Sequence, residues 1–296
     1  MAGSPNRSKS IERLIVTFDA ILPRDMARRA EESGVARAST DPITLLILSI
    51  LAGAFISFGA VFATTVSAGG TVLPFGLLRL LMGLVFSVGL ILVVVGGAEL
   101  FTGNNLIVMA WASGRVTTRA VAINWAVALT GNFIGAVLTA CLMYLTTQYT
   151  FGGGAVGLAA LNIASAKTSL AFIPALTLGI MCNALVCLTV WMCYGARTSV
   201  DRIITIVLPI AAFVASGFEH CIANMYFIPI GIFIRTGAPD AFWKAIEKSP
   251  ADFSSLTWYN FFVTNLLPVT LGNIVGGSTM VGAIYWFVYL RRQKQV

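Results

Sequence analysis

The sequence predicts an all-α membrane protein with six transmembrane helices in two inverted three-helix repeats, helices 2 and 5 being broken at mid-membrane. Three observations carry that prediction. First, 57% of the 296 residues are hydrophobic and only 10% are charged, and the mean hydropathy is +0.87, which lies well outside the composition of a soluble domain. Second, six apolar stretches are each long enough for ~30 Å of hydrocarbon, which takes roughly 20 helical residues. Third, two of them are interrupted alike. Gly97-Ala98-Glu99-Leu100-Phe101-Thr102-Gly103-Asn104 and Gly217-Phe218-Glu219-His220-Cys221-Ile222-Ala223-Asn224 place Gly, Glu and Asn at one constant offset. Non-helical backbone survives at membrane depth only where protein encloses it or where it lines a cavity. Paired breaks in two halves therefore point to a midplane site for a polar solute, and to a channel.

Residues 1–42 precede the first span. Ile11, Leu14, Ile15, Phe18 and Leu22 recur there at helical spacing, which fits a helix lying on the membrane surface or against the cytoplasmic mouth. Pro23 is expected to end it, and Asp25 to Ala38 to form a second short helix. A surface anchor and a movable plug at the pore entrance both remain open for this leader. The spans fall at about 43–66, 74–112 (broken near 97–103), 118–145, 169–194, 203–234 (broken near 217–220) and 257–290, followed by a short tail, 291–296.

Basic residues set the orientation. The leader carries Arg7, Lys9, Arg13, Arg24, Arg28, Arg29 and Arg37. Arg115, Arg119, Arg197, Arg202, Arg291, Arg292 and Lys294 occupy connections on the same side, against Lys167, Arg235, Lys244 and Lys248 on the other. Both termini are thus expected in the cytoplasm. Topology accounts for the net charge of +7, so no nucleic-acid partner is implied.

The third and sixth spans carry the rest of the duplication. Asn124, Gly131, Asn132, Gly135 and Tyr144 correspond to Asn265, Gly272, Asn273, Gly276 and Tyr285 at an offset of 141, against 120 for the breaks; a longer connection near 235–256 absorbs the difference. Three spans per half force the second copy to enter from the opposite face. Both copies of Gly-x-x-x-Gly allow close helix packing in lipid.

Each break starts a half-helix, one near Gly103 and one near Cys221, whose free N–H groups turn partial positive charge toward the membrane centre. Such a site prefers a small anion. Gly97 and Gly217 shape the breaks, and Glu99 and Glu219 are expected to accept hydrogen bonds from the loop backbone, since an unpaired charge in a helix centre costs on the order of 3 kcal/mol. His220, the single histidine, is placed to hydrogen-bond a permeating oxyanion and to exchange a proton with it. Thr102 supplies a hydroxyl in the opposite break. Phe86, Leu90, Leu100, Phe101 and Phe213 are candidates for greasy constrictions on either side. Five cysteines without CxxC spacing, and one histidine, provide no metal site; no cofactor is implied. No nucleophile–base pair marks catalytic residues, which argues against a membrane enzyme.

The sequences Gly217-Phe218-Glu219-His220 with Ala223-Asn224-Met225, Ala98-Glu99-Leu100-Phe101-Thr102, and Gly272-Asn273-Ile274-Val275-Gly276 together resemble the formate/nitrite transporter family, and most nearly its bacterial formate channels. The likeness covers roughly residues 10–292. It implies an aquaporin-like protomer in a homopentamer in the bacterial inner membrane, each protomer with its own pore. It makes His220 the central pore histidine, Thr102 its facing threonine, Phe86, Leu90, Leu100 and Phe213 constriction residues, Asn183 and Asn273 pore-side amides, and Lys167 a vestibule lysine that draws anions inward. Asn104 stands where a small polar residue is expected. The implied function is passive or proton-coupled passage of formate and related small monovalent anions (acetate, lactate, nitrite), with N-terminal gating at low pH. A nitrite or hydrosulfide channel of the same family is the alternative, and a water or glycerol channel a third.

Overall fold

The computed structural model describes residues 21–69 and 73–291, and every regular element among them is helical. The leader helix expected from Ile11 and all of the tail beyond Arg291 lie outside the described residues.

The first element is α1 (Pro23–Ala38), which Pro23 opens at its first turn, where a missing N–H costs nothing. Next, α2 (Pro42–Ser67) starts the same way, with Asp41 accepting from the Ile43 and Thr44 N–H groups at 3.1 and 3.0 Å. The second span, α3 (Phe75–Gly96), stops at the first break. Its continuation is α4 (Phe101–Asn104), a 3₁₀ turn at Asn105–Ile107 and α5 (Val108–Ala112). After α6 (Thr118–Leu145) comes a short helix that the hydrophobicity pattern had not separated from its connection, α7 (Ala155–Thr168). The fourth span is α8 (Phe172–Cys193). Next, α9 (Ser199–Ala215) begins with a reciprocal Thr198/Asp201 cap and, after the second break, the chain resumes as α10 (Cys221–Gly237).

Beyond a small helix, α11 (Asp240–Ala245), one apolar helix of 30 residues runs from Asn260 to Tyr289. It is α-helical at α12 (Leu267–Ile274) and α13 (Ile284–Tyr289), and widens to π-type turns at Asn260–Leu266 and Val275–Ala283. Pro268 offers no N–H to the preceding turn, which accounts for the first widening. Among the described residues five helices are long and apolar enough to cross a membrane; Cys221–Gly237 is apolar but shorter.

Glycines set the packing. A Cβ on Gly135 would overlap the Ile50 carbonyl oxygen of α2, and one on Gly276 the Ile180 carbonyl oxygen of α8. Thus α6 lies against α2, and the long last helix at Gly276 against α8, with backbones in contact.

Candidate permeation site

The two breaks have one construction. Gly97 ends α3 at φ 79° and Gly217 follows α9 at φ 75°, a left-handed conformation that side chains resist. In each, the next N–H reaches back five residues, Ala98 to the Val93 carbonyl at 2.9 Å and Phe218 to the Phe213 carbonyl at 3.1 Å, closing the helix end. The chain then runs extended through Leu100 and through His220 before a new helix starts.

Extended backbone inside a membrane needs partners, and two asparagines supply them. Asn132 Oδ1 accepts from the Phe101 N–H at 2.9 Å while its Nδ2 donates to the Ser49 and Glu99 carbonyls. Asn273 does the same for the second break: Oδ1 accepts from Cys221 N–H at 2.9 Å, and Nδ2 donates to the Gly179 and Glu219 carbonyls at 2.8 and 3.0 Å. Glu99 N–H and Glu219 N–H donate to the Leu48 and Leu178 carbonyls. The expectation that the two glutamates bind the loop backbone with their side chains is therefore corrected. The asparagines take that role, and the carboxylates face side-chain amides and cations.

Those carboxylates sit in matched networks. Glu219 accepts from Asn224 Nδ2 at 2.7 Å and from Lys167 Nζ at 2.7 Å, with only 15% of the lysine side chain and 5% of the glutamate side chain exposed. Glu99 accepts from Asn104 Nδ2 at 2.8 Å and lies 3.7 Å from Arg37 Nε, and Arg37 Nη1 also donates to Asn104 Oδ1. Asn124 and Asn265 tie each network to the backbone by donating to the carbonyls of Arg37 and Lys167, both at 3.0 Å. Arg37 and Lys167 stand 130 residues apart, as do the Leu48 and Leu178 partners, so α1 and α7 are equivalents. Two differences break the match. Asn224 Oδ1 is buried without a partner on the side where lysine replaces arginine, and Asn183 replaces the equivalent Gly53.

At the start of the second half-helix His220 Nδ1 accepts from Ala223 N–H at 3.1 Å, the side chain capping its own helix. A neutral ring then carries its proton on Nε2, 3.0 Å from Thr102 Oγ1 in the other break. The Thr102 hydroxyl accepts from the ring and keeps its own hydrogen for a further acceptor. Its carbonyl is held by Asn183 Nδ2 at 3.3 Å and by the Cys187 thiol at 3.2 Å.

Cavities approach this pair. One of about 490 Å³ is lined by Phe86, Phe213, His220, Lys167 and Arg79. Another of about 230 Å³ is lined by Leu90, Leu100, Arg37, Glu99 and Arg202. The Phe86 and Phe213 rings meet edge to face at 5.6 Å, and the Phe213 ring lies 6.0 Å from the imidazole. All four apolar side chains are buried, Phe86 and Phe213 lining the first cavity and Leu90 and Leu100 the second.

Asn183 and Asn273 are fully buried: Asn183 bridges the Asn105 side chain and the Asn273 carbonyl at 2.8 and 2.7 Å, and Asn273 clamps the break, and neither lines these two cavities. Lys167 borders its chamber but is ion-paired. Residues that sequence reasoning passed over are Arg37, hidden in the leader, and Asn132, seen only as a repeat partner. The offset of 130 linking Ser39-x-x-x-Ile43-x-x-Leu46-x-Leu48 to Ser169-x-x-x-Ile173-x-x-Leu176-x-Leu178 was the available signal.

Broken helices meeting at a shared polar pair between two chambers define a multi-pass membrane protein of channel type. The chain belongs to the formate/nitrite transporter family: that family's model matches residues 24–287. It is 49% identical over 274 residues to the formate channel FocA of Escherichia coli, covering 93% of this chain and 96% of that one. It is 41% identical over 263 residues to FocA of Haemophilus influenzae, covering 89% and 93%. Among solved structures, a pentameric formate channel with formate bound superposes with a TM-score of 0.81 at 45% identity, covering 84% of this chain and 98% of that one.

Proposed function

We propose that the protein is a channel for formate and related small monovalent anions, each protomer of a homopentamer carrying its own pore through the bacterial inner membrane with both termini in the cytoplasm. The observation that carries the proposal is the 3.0 Å contact between Thr102 Oγ1 and His220 Nε2, set between chambers that hold cations and walled by apolar rings. Residues 43–290 form the channel, and the leader 1–42 closes the inner mouth at low pH.

An anion drawn into either chamber must leave part of its water to pass the apolar constrictions, a step that costs several kcal/mol for a bare charge and far less for a hydrogen-bonded or neutral solute. The threonine hydroxyl supplies the free donor at that point, oriented by the ring, whose Nε2–H it accepts. Because Nδ1 is committed to the Ala223 N–H, a ring that gave away its Nε2 proton would be left as an imidazolate. The imidazole therefore lends a hydrogen bond, and any proton that travels with the solute comes from water in the chamber. No residue here is assigned to covalent catalysis, and the protein acts as a channel without enzymatic turnover.

Formate uptake into proteoliposomes is the test. His220→Ala should lower uptake at least tenfold, whereas His220→Asn, whose side chain can still cap the helix, should keep the fold and lose only the Nε2 donor. Uptake by His220→Ala equal to that of the parent would remove the histidine from the pathway. Competition by nitrite and hydrosulfide in the same vesicles measures which anion the pore prefers.

A further inference from the structure

The cation assigned to anion capture by family resemblance is already paired. Lys167 Nζ lies 2.7 Å from Glu219 Oε1, so from the chamber the two present a dipole in place of a net charge. On the other side Arg37 stands beside Glu99 in the same way. Yet each chamber contains a second cation that no carboxylate answers: among the described residues neither Arg79, on the Lys167 side, nor Arg202, on the Arg37 side, forms an ion pair.

Arg79 is built into its place. It projects from α3, and its Nε and Nη2 donate to the carbonyls of Ala215 and Val214 at 3.3 and 2.5 Å where α9 ends, the Val214 oxygen being shared with the Gly217 N–H. Two of the three guanidinium nitrogens are thereby fixed. Nη1, with two N–H donors, is the remaining one, and the side chain lines the chamber. A planar cation fixed on one side and open on the other suits a carboxylate-like oxyanion.

We propose that Arg79 is the anion-capturing cation of the Lys167 chamber. The proposal rests on the channel reading above and deepens it. Arg79 and Lys167 against Glu219 leave the chamber one positive charge, which a monovalent anion neutralises and a divalent one overshoots. The same sum holds for Arg37 and Arg202 against Glu99. Clamping the end of α9 is the simpler role for Arg79, and the test separates the two.

Current is recorded in planar bilayers with formate on one side at a time. The parent must carry formate current from both sides; if it does not, the channel reading fails and Arg79 is not at issue. Arg79→Gln keeps an amide for the carbonyls and removes the charge. Half-saturating formate should rise about threefold from the Lys167 side only, the loss expected for one unit charge at about 6 Å in water. Saturating current should persist and the dependence on ionic strength should weaken. Arg79→Lys, which keeps the charge without the fork, should retain the parental half-saturation. The proposal is overturned if R79Q matches the parent, if both variants lose saturating current alike, or if the effect appears from both sides. Should R79Q not assemble, the lysine variant decides: parental half-saturation and salt dependence support capture by charge, and a raised half-saturation with parental salt dependence refutes it.

Discussion

Asn273→Ala tests the architecture most directly. The side chain satisfies three backbone groups of an extended segment that has no neighbour strand: Cys221 N–H at 2.9 Å, the Gly179 carbonyl at 2.8 Å and the Glu219 carbonyl at 3.0 Å. Interhelical hydrogen bonds in membranes average about 0.6 kcal/mol, so three amount to roughly 2 kcal/mol if the site relaxes. A buried donor left with nothing costs about 1–3 kcal/mol more. Gly179 lies inside α8 and its carbonyl keeps a helical partner, and Glu219 borders a chamber that water enters, whereas Cys221 N–H is fully enclosed. One orphaned donor therefore dominates, and the expected loss is about 3 kcal/mol. Reversible unfolding in detergent and formate flux read it. An alanine variant within about 0.5 kcal/mol of the parent, a change smaller than one ordinary hydrogen bond, would refute the view that this amide holds the break.

Two further outcomes follow from the same geometry. Ala at Gly97 or Gly217 meets a left-handed backbone and should cost about 1–2 kcal/mol. Gly217→Ala should cost the more, because its Cβ lies 3.2 Å from Arg79 Nη2 whereas the space at Gly97 is open; thermal midpoints in detergent check the order, and equal midpoints for parent and both variants would contradict it. Asp41 caps α2, and its carboxyl is held below the usual range by the Thr44 side chain and by the Thr44 and Ile43 N–H groups. A carboxyl depressed by folding contributes fully above its unfolded pKa of about 4 and loses that contribution as pH falls through the lower folded value. The stability difference between parent and Asp41→Asn should accordingly be constant near neutrality and shrink below about pH 4, and a difference that grows on acidification would reverse the sign of the argument.

What the sequence made legible was whatever a backbone rule enforces. A left-handed turn inside an apolar run demands Gly, a midplane carboxylate demands partners, and two breaks at one offset must be equivalent; Gly97, Gly217, Glu99, Glu219, His220 and Thr102 could be singled out on those grounds. Partners chosen by three-dimensional approach were less visible. Arg37 read as one more charge of the leader because nothing in α1 is hydrophobic enough to show that it packs beneath the first break. Asn183 and Asn273 stand as pore-side amides only through the family resemblance, while the extended segments at Leu100 and His220 create a need for backbone partners that only coordinates reveal. Helix α7 was missed for a related reason: its 14 residues are too few to span, so periodicity did not separate them from the connection.

The placement of the glutamates then has a consequence for selectivity. A channel for anions has no evident use for buried carboxylates, yet each break holds one beside a cation, and each pair is tied by asparagine to the segment that leads to the waist. Without Glu219 the Lys167 chamber would hold two uncompensated cations, and an anion entering it would be bound too tightly to leave; conduction needs entry sites that are favourable but weak. Pairing Lys167 reduces the chamber to a single net charge while preserving a positive field toward the helix start at Cys221. The opposite side reaches the same sum with Arg37, Arg202 and Glu99, although Arg79 and Arg202 do not occupy equivalent positions in the duplication. Position was free to vary and net charge was not, which is the pattern expected if charge balance in each chamber, more than any one contact, determines which solutes arrive at the Thr102–His220 pair.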